Sequence, residues 1–318
     1  MERVLVTGAN GFVGQVLCQL LVDKGISVKA VVRSSESHAG SISIGEINGD
    51  TNWQDALIGI DCVVHLAARV HVMNESAANP LNAFRHVNTA GSEKLARDAA
   101  KAGVKRLIYL STIKVNGEQT YGVPFNEKVE HTPVDPYALS KWEAENSLRR
   151  ISIESGMEIV IIRAPLVYGP GVKGNFLTLL KLVSKGLPLP FASVKNKRSL
   201  VALSNLVDLI RECIVNPRAA GEIFLVSDGE DLSTAELIKV IALKMGKPSR
   251  LIPIPLPLLN VGATIIGKRS VARRLLGSLQ VDSSSAHRVL GWVPPYSVEH
   301  EIDRVVDWHR EKNCSEWL

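Results

Sequence analysis

The chain is poor in cysteine, and what it lacks narrows the reading first. Only Cys18, Cys62, Cys213 and Cys314 occur, and none stand in a CxxC pair. That spacing gives no disulfide framework, and reduced thiols of a cytosolic protein are expected. No His/Cys/Asp cluster has metal-ligand spacing, so no metal is expected. No dense Lys/Arg tract exists either. The formal charge of +5 comes from 37 basic against 32 acidic residues spread along the chain. Nucleic-acid binding is therefore not expected, and a mild pull on anionic substrates is. Long apolar runs are absent as well. The most apolar late stretch, residues 251–266, is broken by Pro253, Pro255 and Pro257 and is too short to span a bilayer. Met1 leads within two residues into a strand pattern, so no signal peptide is expected. Internal repeats and low-complexity segments are missing too.

What is present is an ordinary globular composition, with 46% hydrophobic and 22% charged residues over 318 positions. Such a chain buries one large or two modest domains. Arg3 to Thr7 is a short apolar run ending in glycine, which predicts a buried strand. Gly14 to Lys24 has a helical period and stops at Gly25. Strands follow at Val28–Val32, Asp61–Leu66, Arg106–Leu110 and Ile159–Arg163. Helices are expected over Asn88–Ala102 and Tyr137–Ser155. This alternation predicts an α/β fold: a Rossmann-type doubly wound parallel sheet. After Pro165 prolines become frequent and strands sparse. We read 1–165 as a dinucleotide-binding domain and 166–318 mainly as a smaller substrate-binding α/β region. Returns to the sheet or its edge are expected from Arg198–Asp208 and Ile223–Ser227.

Three groups carry chemistry. Gly8, Gly11 and Gly14 follow a strand and open a helix, within Thr7-Gly8-Ala9-Asn10-Gly11-Phe12-Val13-Gly14. Glycines there let a pyrophosphate approach the backbone at a helix N-terminus. The second strand ends at Val32, where a ribose-binding carboxylate is usual, and Arg33 follows. Arg33 pairs with a 2′-phosphate, favouring NADP over NAD, or else is a solvated loop residue. Asp50 is either near the adenine edge or a turn residue. Ser111-Thr112 ends an apolar run. Tyr137 and Lys141 share one helix face. A phenol with a pKa near 10 needs help to exchange protons at neutral pH. The Lys141 ammonium and the positive nicotinamide ring both favour the phenolate, and Thr112 fixes the reacting oxygen. His65 lies in an apolar strand and reads as structural. His71 reads as polar packing, with a second acid as the other reading.

Taken together, these residues resemble the extended short-chain dehydrogenase/reductases, in their nucleotide-sugar epimerase/dehydratase branch. The resemblance rests on residues 7–14, His65-Leu66-Ala67-Ala68, Val87-Asn88, Leu110-Ser111-Thr112, Tyr137 with Lys141, and Arg163 to Pro170. Gly174-Asn175-Phe176, Arg198 to Val201 and Gly291 to Pro294 extend it. It implies Thr112, Tyr137 and Lys141 as the catalytic group. It implies cofactor contacts from Gly8, Asn10, Gly11, Phe12, Val13, Gly14, Leu66, Ala67, Ala68, Asn88 and Arg163 to Val167, including Ala164 and Val167. Asn175, Phe191, Arg198 and Arg273 or Arg274 are implied at the diphosphate of a UDP-sugar. Ile113-Lys114 stands where the 4,6-dehydratases carry an Asp-Glu pair, which argues against dehydration. A 4-keto-6-deoxy-hexosamine reductase of surface-polysaccharide synthesis is expected, with a UDP-hexose 4-epimerase and a non-catalytic NADP sensor as alternatives. A cytoplasmic homodimer is also expected.

Overall fold

The computed structural model describes residues 2–34, 41–70, 79–265, 267 and 269–315. His71 lies outside these, so its two readings stay untouched. Seven strands form one parallel sheet: β1 (Arg3–Thr7), β2 (Ser27–Val32), β3 (Ile42–Ser43), β4 (Cys62–His65), β5 (Arg106–Thr112), β6 (Glu158–Ala164) and β9 (Ile223–Leu225). Their order is β3-β2-β1-β4-β5-β6-β9. The order reverses between β1 and β4, the point where open parallel sheets leave a crevice at their C-terminal strand ends. Three short strands, β7 (Leu166–Tyr168), β8 (Arg198–Ala202) and β10 (Asp231–Leu232), form a second sheet in the order β10-β8-β7. Of the two expected returns, Ile223–Leu225 joins the main sheet beside β6, whereas Arg198–Ala202 pairs with β7.

Apolar strands build this sheet because both of its faces are covered, and successive side chains take opposite faces. Val4, Val6, Val64, Ile108, Val160 and Ile162 point to one core. There they meet Leu17 and Leu21 of α1 (Phe12–Asp23) and Leu206, Leu209 and Ile210 of α7 (Leu203–Val215). Leu5, Val63, Leu107, Tyr109, Ile159 and Ile161 point to the other. Leu95 and Ala99 of α4 (Ser92–Lys101) and Ala144, Leu148 and Ile151 of α5 (Pro136–Ser155) cover that side. A third core joins β8 to α6 (Gly174–Ser184), α8 (Thr234–Lys244) and α12 (Val298–Ser315), around Leu180, Leu200, Ile241, Ile302 and Val305.

Between the smaller helices α2 (Gln54–Leu57) and α3 (Pro80–Phe84) and the start of α4, the chain adopts a wide π turn over Arg85–Gly91. The helix expected from Asn88 thus begins regular winding only at Ser92. The apolar late stretch folds as α9 (Leu256–Ile265), followed by α10 (Arg269–Leu276) and α11 (Ser284–Leu290). Among the described residues no helix is long and apolar enough to cross a membrane.

Buried charges tie separate elements together. The Arg106 guanidinium at the start of β5 donates to Glu158 (2.7 Å) and to the carbonyls of Cys213 (2.6 Å) and Asn216 (2.8 Å) at the end of α7. Arg163 of β6 and Glu145 of α5, both fully buried, pair at 2.6 Å. Ser111 donates to the same carboxylate at 2.6 Å. Each buried ion therefore has hydrogen-bond partners, which its desolvation demands.

Candidate active site

The turn after β1 sets up the first cavity. Gly8 has φ +68°, a conformation that disfavours any side chain. A Cβ on Gly14 would stand 2.2 Å from the Gly8 carbonyl oxygen and 2.8 Å from Ala9 Cα, so α1 packs against the turn only with glycine there. Gly11 starts α1 with no side-chain cap, and the first turn holds no acidic residue. Its open N–H groups and the helix dipole suit an anion, and the closed-in glycine cradle suits a pyrophosphate.

The floor beside the turn is fixed by a hydrogen-bond relay. Thr7 Oγ1 accepts from the N–H groups of Leu66 and Ala67, each at 3.2 Å, and lies 2.7 Å from His65 Nδ1. His65 Nε2 is 3.0 Å from Ser92 Oγ, which donates to the Asn88 carbonyl at 2.6 Å. With its two acceptor positions used, the Thr7 hydroxyl donates to Nδ1, and that assigns the ring proton to Nε2. Burial pushes the His65 pKa down to about 3, so the imidazole is neutral, as the relay requires.

The first cavity, about 570 Å³, runs along the strand ends. Gly8, Asn10, Gly11, Phe12, Val13, Gly14, Arg33, Leu66, Ala67, Ala68, Ala164 and Val167 all line it, together with Thr112, Tyr137 and Lys141. Residues 44–47, after the two-residue β3, also form its wall. The sequence reading missed them because a strand that short leaves no period to detect. Asn88 and Asp50 are not on the wall. Asn88 is buried behind it, where its amide brackets the Arg69 backbone (2.9 and 3.0 Å) and donates to Ser140 Oγ (3.0 Å). Asp50 belongs to a turn in which its own N–H donates to Asn48 Oδ1 at 2.8 Å. Arg163, expected near the cofactor, faces the core with Glu145 instead.

The second cavity, about 350 Å³, lies between the main sheet and the C-terminal helices. Asn175, Arg198, Arg273 and Arg274 line it, along with Lys114 and Glu118. Phe191 does not, and packs on the C-terminal core. Arg198 donates to the carbonyls of Arg274 (2.7 Å) and Gly277 (3.2 Å). Burial and the neighbouring Arg274 charge hold the Arg198 guanidinium below its usual pKa. Two crowded cations in a pocket make a place where an anion relieves repulsion.

Both cavities include Thr112, Tyr137 and Pro165 in their walls. Tyr137 opens α5, whose N-cap Asp135 accepts from Ala138 N–H at 2.9 Å. Burial, with a smaller push from the Asp135 charge, raises the Tyr137 phenol to about 12. Lys141 is buried, donates to the Leu110 carbonyl at 2.7 Å and sits 3.9 Å from the Tyr109 ring centre. Burial depresses its amine to about 7, against a smaller opposing pull from Glu145. In the protein alone desolvation shifts both groups toward their neutral forms, and the Lys141 amine donates to a carbonyl. The described residues contain no cluster of three or more metal-ligating side chains.

Comparison with known proteins agrees with this geometry. The model of the NAD dependent epimerase/dehydratase family matches residues 4–227. A Vibrio cholerae protein described as a UDP-glucose 4-epimerase is 47% identical over 303 residues, covering 94% of this chain and 92% of its own. An Escherichia coli O157:H7 protein described as an N-acetyl-alpha-D-glucosaminyl-diphospho-ditrans,octacis-undecaprenol 4-epimerase is 27% identical, covering 96% and 95%. Among solved structures, a UDP-glucose 4-epimerase from Thermotoga maritima with UDP-glucose superposes with a TM-score of 0.77 at 22% identity, covering 98% of this chain and all of its own. A short-chain dehydrogenase/reductase superfamily protein from Agrobacterium tumefaciens with bound NAD gives 0.79 at 19% identity, covering 99% of each chain. At these identities the two structures bear on the fold.

Proposed function

Because this chain belongs to the NAD dependent epimerase/dehydratase family of enzymes, we propose that it is an NAD(P)-dependent oxidoreductase acting at C4 of a UDP-sugar. The observation that carries this reading is the meeting of two cavities at Thr112 and Tyr137. One has a glycine cradle for a pyrophosphate, and the other has paired arginines for a diphosphate.

In this reading the Gly8–Gly14 turn binds the cofactor pyrophosphate, and Arg198 with Arg274 binds that of the sugar nucleotide. Lys141 holds the cofactor ribose, and Thr112 orients the C4 oxygen. When bound, the nicotinamide supplies or accepts the hydride at C4. Tyr137 Oη moves the accompanying proton: it donates to the oxygen as a C4 ketone is reduced, and withdraws the proton as an alcohol is oxidised. The raised phenol pKa suits the donating role at neutral pH.

Within this reaction class, a 4-keto-6-deoxy-hexosamine reductase of surface-polysaccharide synthesis is the first reading. Val32 brings no carboxylate to the cofactor wall and Arg33 brings a guanidinium, which supports a dissociable NADP(H). A UDP-hexose 4-epimerase with a retained NAD is the second reading, favoured by the Vibrio cholerae relative at 47% identity. The test is direct. Purified protein is denatured, released nucleotide is identified by mass, and UDP-glucose, UDP-N-acetylglucosamine and a UDP-4-keto-6-deoxy-hexosamine are assayed with NADPH and NADH. Epimer formation without net cofactor use supports the epimerase, and ketone-dependent NADPH oxidation supports the reductase. Inactivity on all three, with no inhibition by UDP, sinks the UDP-sugar reading. A cytoplasmic homodimer is part of the same proposal, and sedimentation at the single-chain mass would remove the dimer.

A further inference from the structure

The loop after β5 carries charged groups that the reaction above does not use. Directly after Thr112 the chain makes a tight turn over Ile113–Val115, and Thr112 Oγ1 accepts from Lys114 N–H at 3.3 Å. That turn sets Lys114 in the wall of the sugar-side cavity, beside Thr112 and Tyr137. Lys114 Nζ lies 3.4 Å from Asp135 Oδ2 and 3.6 Å from Glu118 Oε1. Glu118 Oε2 in turn lies 3.7 Å from Arg273 Nη1 on α10. The four groups form a ladder of alternating charge, of which Lys114, Glu118 and Arg273 line the pocket. It runs from the N-cap of the helix that bears Tyr137 to the helix that bears Arg273 and Arg274.

We propose that Lys114 is a specificity-determining residue, donating a hydrogen bond from Nζ to an oxygen on the hexose ring of the substrate. The inference rests on the UDP-sugar reading and extends it to the sugar itself. An ammonium has three N–H donors; one goes to Asp135 at 3.4 Å, and Glu118 stands at ion-pair distance. Asp135 and Glu118 hold the amine in place without burying it, since its side chain keeps 24% of its exposure. A neutral or apolar side chain at this position would leave Asp135 without this cation and Glu118 with Arg273 alone. The pocket is therefore built to receive a hydrogen-bond acceptor on the sugar edge next to C4.

The same residue bears on reaction choice. Elimination of water across the sugar needs a base at this wall to take a carbon-bound proton. Lys114, set between two carboxylates, brings N–H donors to this wall where a base would be needed. It offers a hydrogen bond to an oxygen, which fits hydride transfer at C4, and the Glu118 carboxylate in the same wall is engaged by Lys114 and Arg273. Lys114 also shares Asp135 with Tyr137: the carboxylate that opposes ionisation of the phenol is the one the ammonium neutralises.

The test compares Lys114→Met, Lys114→Gln and Lys114→Arg with the wild type in three measurements. These are kcat/KM for the UDP-sugar, the inhibition constant of UDP, and the dissociation constant of NADPH. A lost charge-assisted contact predicts a fall of roughly ten- to a hundredfold in kcat/KM for Lys114→Met. The UDP and NADPH constants should stay within about twofold, because neither ligand carries the hexose. Lys114→Arg should recover part of the loss, and Lys114→Gln less. The proposal is overturned if Lys114→Met keeps kcat/KM within about twofold of wild type. It is equally overturned if UDP inhibition weakens as much as sugar turnover, since the ladder then acts only by holding Arg273. Unchanged NADPH binding certifies that each variant is folded. Failure of UDP to inhibit the wild type is a separate result, and it takes down the UDP-sugar reading together with this one.

Discussion

The two cavities differ in what shapes them. The side proposed for the cofactor is shaped largely by backbone: a glycine turn, the open N-terminus of α1, and strand ends fixed by the Thr7–His65–Ser92 relay. The side proposed for the sugar sets long charged side chains from distant segments among apolar ones, with Lys114 and Glu118 from one loop and Arg198, Arg273 and Arg274 from β8 and α10. Backbone sites bind what every member of a cofactor class shares, namely phosphates and a ribose. Side-chain sites can be altered one residue at a time, and that is where a substrate is chosen. Among the described residues only Thr112, Tyr137 and Pro165 belong to both.

The sharpest way to test this division is at its shared residue. Tyr137→Phe should lower kcat by about a hundred- to ten-thousandfold and leave both the NADPH dissociation constant and UDP inhibition near wild type. Retained turnover within tenfold would remove Tyr137 from the proton path.

Next comes the backbone side. In Gly14→Ala the new methyl meets the Gly8 carbonyl and Ala9 Cα at distances no packed Cβ tolerates, so the turn must open. Cofactor affinity should fall by about a hundredfold, with thermal stability lowered by a few kcal/mol. Normal NADPH binding by this variant would mean the cradle does not hold the phosphates. On the other side, Arg198→Ala should raise the UDP-sugar KM roughly tenfold or more and spare the cofactor constant. Equal damage to both ligands would erase the distinction between the two cavities.

The pH profile is a milder test. Burial raises Tyr137, so its phenol stays protonated across neutral pH. Ketone reduction, which consumes that proton, should be flat from about pH 6 to 8 as far as Tyr137 governs it. Alcohol oxidation, which needs the phenolate, should climb as pH rises. An oxidation rate that falls over this range would show that the phenolate is not the base. The smallest expected effect is cofactor choice. Val32→Asp should turn the preference toward NADH, through repulsion of a 2′-phosphate. A wild type that already prefers NADH clearly would remove the role given to Arg33.

The same division explains what could be read before the fold was known. β1, the glycine turn and Tyr137–Lys141 are local patterns, with donors, acceptors and apolar periods lying close together in sequence. Fully buried parallel strands such as Cys62–His65 announce themselves as apolar runs. The sugar wall has no such signature. Lys114 was visible only as the lack of a carboxylate, because its partners lie at positions 118 and 135, and Glu118 reaches Arg273 across the fold. Asn88 and Phe191 show a different limit. A residue implied by resemblance to touch a ligand was found one layer behind the wall or in a neighbouring core, because sequence position does not report side-chain direction. The neutral shift of Lys141 also escaped notice, since burial of an amine depends on what later segments place over it.

Strand β9 has a consequence for how the chain is made. It pairs with β6 through Ile161–Ile223, Ile162–Phe224 and Arg163–Leu225. During synthesis the first six strands of the main sheet emerge well before residue 223. Until then β6 stands as an open, apolar edge, the kind of surface that recruits a second chain. The Arg106 guanidinium waits as well, because its carbonyl partners at Cys213 and Asn216 arrive equally late. A nascent chain stalled anywhere between these points holds a nearly complete sheet that is both sticky and internally charged, so the ribosome's pace through residues 165–225 sets how long the molecule is vulnerable to aggregation.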